Sequence, residues 1–313
     1  MIKKTSKSSK KHKGLVVNRK EGFNVIECAV CKFKHIYPLL SKNKLDEFYS
    51  KSFYSKERPT YFREREEDER WWTETYSEVL DLFAKEVTGR SLLDIGSGPG
   101  YFLKNAAKKG WNVEGVEPSD KACDYSKSLG FEVKNSFFSP ELFQNHKKFD
   151  VVNIALVLEH VPSPIDFLEG VKKILKPGGI VCITCPNDYN QFQKILVESK
   201  DYSPWWVVPR HHINYFDFKS MKRLLSHTGF DVAELFGTFP MELFLLFGDS
   251  YVGNAKIGRL CHRKRKKFEL SMYASCPDLY LDFKKSLGAR GLGRELVFIA
   301  RLPILTRSKK AKA

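Results

Sequence analysis

Residues 91–100 read Ser-Leu-Leu-Asp-Ile-Gly-Ser-Gly-Pro-Gly. Small and apolar residues lead into an acid, Asp94. Three glycines then follow at alternate positions, Gly96, Gly98 and Gly100, before an apolar helical pattern resumes at Tyr101. The pattern predicts a buried strand ending in a tight turn that opens a helix. Glycine suits such a turn because a residue at φ > 0 carries a Cβ only with strain, and because bare backbone lets a ligand come close. The loop therefore reads as a nucleotide-type cofactor cradle. The glycines alone leave that reading open, since strand-to-helix turns favour glycine in general.

Working outward, strand and helix patterns alternate downstream. Strands are expected at residues 92–95, 112–117, 131–134, 149–154 and 180–185, and helices at 101–109, 120–129 and 164–175, closed by Gly110, Gly130 and Pro177-Gly178-Gly179. Such alternation implies a parallel sheet with right-handed helical crossovers and ligands at the carboxyl ends of its strands. A helix at 220–228 and a strand at 230–236 follow, and a strand at 295–302 reads as the antiparallel return. Residues 237–294 between those strands form a mostly helical insert where a hairpin would suffice. It opens at the mouth of the site, as a lid or acceptor-binding subdomain would. Its basic block, Arg259 and Arg263 to Lys267, suits an anionic acceptor group or a solvated helix face.

The formal net charge of +16 is concentrated at the ends: residues 1–20 hold eight Lys or Arg and no acid, and residues 307–313 hold four and no acid. Residues 1–22 and 304–313 are therefore expected as disordered basic tails, and nucleic acid is not favoured as a partner. No secretory hydrophobic region follows the basic start, and no apolar run is long enough to span a bilayer. The expected location is cytoplasmic. Seven cysteines, an odd number in a long chain, argue for a reducing compartment.

Residues 23–70 form an N-terminal segment with a strand at 23–28, a Cys-x-x-Cys turn and an aromatic, lysine-rich stretch. A helix is expected from the acidic run 64–69 through Trp71 and Trp72 to Thr88, so that 71–236 plus 295–303 make the main domain. Two thiolates on one turn, Cys28 and Cys31, with His35 nearby, are candidate metal ligands. A second ligand pair is missing from the neighbourhood, so zinc is not favoured and no metal is expected. Cys182 and Cys185 share the spacing, but lie on a strand where residues three apart face opposite ways, and read as core.

Glu117 closes the second strand, where a carboxylate can accept both hydroxyls of a ribose. The glycine spacing is not that of the dinucleotide fingerprint, and no Gly-Lys-Ser/Thr phosphate loop exists. Further stretches read Gly-Val-Glu-Pro-Ser at 115–119, Phe-Asp-Val-Val at 149–152, Val-Leu-Glu-His-Val-Pro at 157–162 and Leu-Lys-Pro-Gly-Gly at 175–179. In these, and in 93–100, the chain resembles the class I S-adenosylmethionine-dependent methyltransferases over about residues 92–236. The last two stretches are particularly similar to small-molecule O-methyltransferases of the ubiquinone-biosynthesis type.

The resemblance implies an α/β fold: a Rossmann-like seven-stranded sheet of order 3-2-1-4-5-7-6, with helices on both faces. It implies S-adenosyl-L-methionine as cofactor and methyl transfer as the reaction. It places Asp94, Gly96, Gly98 and Gly100 around the methionine part, Glu117 at the ribose, and Pro118, Ser119 and the region of Ser136 beside the adenine. Glu159, counted among the cofactor-binding residues, and His160 then stand at the mouth where the methyl group leaves.

Methyl transfer requires alignment, exclusion of water and, for a hydroxyl acceptor, a base. His160 is a candidate base because imidazole titrates near neutrality. Orienting the loop is its other reading. His211 and His212 are further candidates, in a segment (186–217) that also holds Asn187, Asp188, Tyr189, Trp205, Trp206, Asn214 and Tyr215. That density suggests an acceptor pocket for a small molecule or carbohydrate. Rings packed beneath a long loop are the alternative. A non-catalytic binding protein of the same fold, or a nucleic-acid or protein methyltransferase, is the alternative function.

Overall fold

The computed structural model describes residues 12–39, 61–144 and 148–304. The aromatic stretch around Phe48, Tyr49, Phe53 and Tyr54, and the tails 1–11 and 305–313, lie outside the described residues.

The chain opens with β1 (Gly14–Lys20), β2 (Phe23–Cys28) and β3 (Lys34–Tyr37). Residues 14–20 are thus a strand where a disordered tail was expected. Leu15, Val16 and Val17 form a short apolar run, and antiparallel pairing with β2, with a register shift between Val16 and Asn18, engages the backbone of the strand. The basic residues Arg19 and Lys20 suit a strand with one open edge. The acidic run expected to begin one helix is instead divided: α1 (Tyr61–Glu67) and α2 (Glu69–Glu86) meet at Asp68. Helix α2 buries Trp71, Leu80, Leu82 and Phe83 along one face.

There follow β4 (Ser91–Ile95), α3 (Tyr101–Lys108), β5 (Asn112–Val116), α4 (Asp120–Ser128), β6 (Glu132–Lys134), β7 (Phe149–Ala155), α5 (Pro164–Ile174) and β8 (Leu175–Pro186). Each strand lies within a few residues of its sequence expectation except β8, which starts at Leu175. Its Pro-Gly-Gly stretch is drawn into the strand, and Gly178 N–H donates to Leu302 O, just beyond β11, at 2.9 Å. The chain continues through α6 (Gln191–Lys200), β9 (Asn214–Tyr215), α7 (Phe218–His227) and β10 (Asp231–Gly237). The insert supplies α8 (Glu242–Leu246), α9 (Ala255–Ser275) and α10 (Pro277–Ala289), and β11 (Glu295–Arg301) returns.

Seven strands form one sheet in the order β10-β11-β8-β7-β4-β5-β6. Numbered along the chain, this is the expected 3-2-1-4-5-7-6. All neighbours are parallel except β11, antiparallel to both β8 and β10. Apolar clusters cover both faces. Cys185 belongs to one and Cys182 to the other, as strand alternation requires.

A second sheet, β1-β2-β3-β9, joins the N-terminal segment to the stretch after β8. Its core is Val25, Ile36, Trp206, Val207, Ile213 and Tyr215, with Tyr189 and Trp205 packed against it. No helix among the described residues is long and apolar enough to cross a membrane.

Candidate active site

One half of the candidate site is built by the carboxyl ends of β4 and β5. Asp94 is buried at the end of β4, where register places it opposite Asn153 of β7, and Asn153 Nδ2 donates to its Oδ1 at 2.8 Å. The loop beyond has Gly96, Gly98 and Gly100 at φ of 76°, 52° and 81°. A Cβ on Gly96 would fall 2.4 Å from Val157 Cγ2, and one on Gly100 would fall 2.3 Å from Ser126 Oγ, so both conformation and space demand glycine.

Glu117, just beyond β5, is also buried. Its Oε2 accepts from Gly98 N–H at 2.9 Å and its Oε1 from Ser119 N–H at 2.9 Å. The acid of one strand thus ties down the glycine loop of the other. Burial pushes both Asp94 and Glu117 up to about 7, and the two carboxyls also raise Asp94 through mutual repulsion. Neither forms an ion pair among the described residues, so a cationic ligand between them would relieve that cost.

Pro118 and Ser136 border this end. Ser136 N–H donates to Glu117 O at 3.2 Å, and Asn135 Nδ2 donates to the same carbonyl at 3.2 Å, holding the turn after β6 against the turn after β5. Sequence reasoning missed Arg65 of α1. Its guanidinium donates to Tyr61 and Tyr76 hydroxyls at 3.0 and 2.9 Å and lies 3.5 Å over the Trp72 ring. Together with Tyr101 it lines a narrow cleft at the start of α3. A residue so far ahead of the loop carries no motif. The only signal is a basic residue within an aromatic helix.

The other half of the candidate site begins at the end of β7. Leu156 adopts φ of 57°, a conformation that a branched side chain takes only with strain, and a 3-10 turn over Leu158–His160 follows. Glu159 is buried with the Cys185 thiol against its carboxyl, and burial raises it to about 8. Its described partners come from the same half: His160 Nε2 lies 3.8 Å away, and Ile213 N–H donates to its carbonyl at 2.9 Å.

His160 Nδ1 lies 2.7 Å from the backbone carbonyl of His211. A carbonyl can only accept, so Nδ1 carries the proton and Nε2 the lone pair. Burial lowers the imidazole to about 4, leaving it neutral near pH 7. The His212 ring stands 5.1 Å from it, also lowered by burial, and its Nδ1 has no hydrogen-bond partner among the described residues. His211 contributes its backbone carbonyl to this arrangement, and its ring helps to lower both neighbouring imidazoles.

Most aromatics read as an acceptor pocket serve another purpose. Trp206 and Tyr215 are buried in the small-sheet core, and the Tyr189 hydroxyl donates to Asn18 Oδ1 at 2.7 Å. Asn214 pins the 3-10 turn, donating to Leu158 O and Val161 O at 3.1 and 2.7 Å. Asn187 ties β8 to the end of the insert through Gly291 O and Gly293 O. Asp188 does face a polar cluster that the sequence did not reveal. Arg294 Nη1 lies 4.0 Å from Asp188 and 3.7 Å from Glu242, and Gln193 Nε2 donates to Glu242 at 3.2 Å. Glu242 and Arg294 sit at opposite ends of the insert and meet only because β10 and β11 pair.

The insert is fastened down. Trp71 Nε1 and the Tyr280 hydroxyl both donate to Glu269, Lys284 pairs with Glu78, and His262 and Lys266 both reach Asp68. Within the basic block expected to meet an anion or solvent, Arg265 pairs with Glu269 at 3.1 Å and lies 4.7 Å over Trp71. Arg265 and Lys266 thus help hold the insert to the start of α2, while Arg259, Arg263, Lys264 and Lys267 are exposed, as a solvated helix face would be. Cys28, Cys31 and His35 lie apart from this site, in the small sheet, with His12 beside them.

A family model described as a methyltransferase domain matches residues 62–235. The chain is 29% identical over 217 residues to ubiquinone biosynthesis O-methyltransferase of Aromatoleum aromaticum, covering 63% of this chain and 91% of that protein. It is 28% identical over 129 residues to the protein of that name from Actinobacillus pleuropneumoniae serotype 7, covering 38% of this chain and 55% of the relative. The match to the latter thus spans about half of its length. Among solved structures, the plantazolicin methyltransferase BamL in complex with a triazolic desmethylPZN analog and SAH has a TM-score of 0.51 at 16% identity. That match covers 83% of this chain and 95% of that one, a likeness of fold.

Proposed function

The chain belongs to the methyltransferase-domain family, whose class I members use S-adenosylmethionine, and from that premise we propose that it methylates a hydroxyl of a small-molecule acceptor. The observation that carries the proposal is the pair of buried carboxylates Asp94 and Glu117, without a cationic partner among the described residues, at adjacent strand ends beneath a loop of positive-φ glycines. S-adenosylmethionine, when bound, supplies a methyl group on a positively charged sulfur. The residues fit it: Glu117 would accept the ribose hydroxyls, Asp94 would face positive charge, Pro118 and Ser136 would border the base, and Arg65 would hold the carboxylate.

His160 supports a hydroxyl as the acceptor group. A neutral imidazole that carries its lone pair on Nε2 has the chemistry to take the proton that a hydroxyl must lose as its oxygen forms the new bond to carbon. The His211 carbonyl fixes that tautomer, as a base needs. An oxygen acceptor also agrees with the O-methyltransferase named among the relatives. Phenols and sugars share this chemistry. Incubating the full chain with S-adenosylmethionine and a panel of each, and measuring S-adenosylhomocysteine, should give acceptor-dependent product. A chain that binds the cofactor yet forms no product with any acceptor supports the binding-protein alternative instead.

A further inference from the structure

Four potential metal ligands converge at the small sheet, three from the β2–β3 region and one from the chain entering β1, outside every role assigned above. His12 Nδ1 lies 3.1 Å from His35 Nε2, 3.3 Å from Cys31 Sγ and 3.6 Å from Cys28 Sγ, and all four ligand atoms fall within 4.8 Å of one another. The sequence offered three of them. His12 comes from the stretch that its basic neighbours made look like a tail.

We propose that His12, Cys28, Cys31 and His35 bind a zinc ion. A tetrahedral zinc with ordinary bond lengths separates two nitrogens by about 3.3 Å and a nitrogen from a sulfur by about 3.6 Å, the spacing seen here. Hydrogen bonding cannot account for the cluster. The His12 ring nitrogen has either a single hydrogen or a single lone pair, so it satisfies only one of its three close neighbours. His35 is set up as a ligand: its Nδ1 donates to the Ile36 carbonyl at 2.8 Å, which leaves the Nε2 lone pair toward the cluster. Cys28 and His35 are both 1% exposed. Two thiolates and two neutral imidazoles would cancel the charge of the ion, as a buried site requires.

The turn is also shaped for the purpose. Lys32 takes φ of 64°, Lys32 N–H donates to Cys28 O at 2.9 Å, and Cys31 N–H donates to Cys28 Sγ at 3.4 Å, a donor that stabilises a thiolate. Four protein ligands leave no open position, so the site is structural. It clips the chain entering β1 to the β2–β3 turn. Strand β3 pairs with β9, with His35 opposite Asn214, and Ile36 N–H donates to Ile213 O at 2.9 Å. The site thus lies one strand away from the segment that holds His211 and His212.

Metal analysis of the full chain, purified reduced and without chelator, is expected to give about one zinc per chain. Cobalt loading should give an intense thiolate-to-cobalt absorption band. His12→Ala should weaken zinc binding by more than tenfold. Because Cys31→Ser could simply fail to fold, His12→Cys supplies the second arm: it keeps four ligands, and should retain the ion and strengthen the cobalt band. Reduced wild-type protein that neither holds nor takes up zinc or cobalt overturns the proposal, as does unchanged affinity in His12→Ala. A Cys28–Cys31 disulfide in protein that stays metal-free after reduction overturns it too.

Discussion

The two halves of the candidate site are built in opposite ways. The cofactor half is local: Asp94, the glycine loop and Glu117 come from consecutive strand ends, and Glu117 itself bonds to the loop. The acceptor half is assembled from distant pieces: a turn after β7, the stretch after β8, and both ends of the insert. Its histidines are held by carbonyls and neighbours supplied by other segments. The difference teaches that cofactor recognition can survive in a short motif, whereas acceptor recognition depends on how the surrounding segments happen to be folded together.

The comparison can be broken by substitutions that ought to damage only one half. His160→Ala should lower kcat by about 10²- to 10⁴-fold, the usual span for a general base, while S-adenosylhomocysteine affinity stays within about twofold. Equal loss of both would mean that His160 belongs to the cofactor half. The wild-type acid limb of kcat should fall near pH 4, because protonation removes the lone pair and burial lowers the group to about 4. A limb near 6.5 that vanishes in the variant would place the imidazole in water.

Trp206→Ala empties the core of the small sheet and should cost about 3 kcal/mol of stability in denaturant unfolding, with turnover more affected than cofactor affinity. Little change in stability would leave the ring free to line a pocket after all. Glu117→Ala should weaken cofactor binding by about 1 to 3 kcal/mol, roughly 10- to 100-fold, through lost ribose hydrogen bonds. Calorimetry that finds unchanged affinity removes its assigned role.

The smallest effect is in the pH dependence. Glu117 and Asp94 sit at about 7 in the ligand-free fold, raised from 4.5 and 3.8 by burial. The stability they contribute is present below about pH 4 and is lost as pH rises through 7. A cationic ligand favours the ionised forms. Cofactor binding near pH 7 should therefore release protons, with affinity rising about three- to tenfold per pH unit up to about 8. Binding enthalpies that do not vary with the ionisation enthalpy of the buffer would show the carboxylates to be ionised already.

Legibility followed the same division. The parallel sheet and the glycine loop were readable because strand alternation, turn glycines and a strand-end acid are short-range signals, and the sheet order came with the family resemblance that these signals carry. The small sheet was not. Its β1 lies in a basic stretch that composition marks as a tail, and its β9 is two residues long. Without that sheet, Trp206 and Tyr215 looked like a pocket, because rings beneath a loop and rings in a core have the same spacing. Glu242 and Arg294 could not be paired from sequence, since only the β10–β11 register brings them together.

The most direct test is calorimetric titration of S-adenosylmethionine and S-adenosylhomocysteine into the full chain, with NAD as control. The account predicts saturable binding of both, accompanied by proton release near pH 7, and no binding of NAD. Failure of either S-adenosyl compound to bind, or equal binding of NAD, would contradict it.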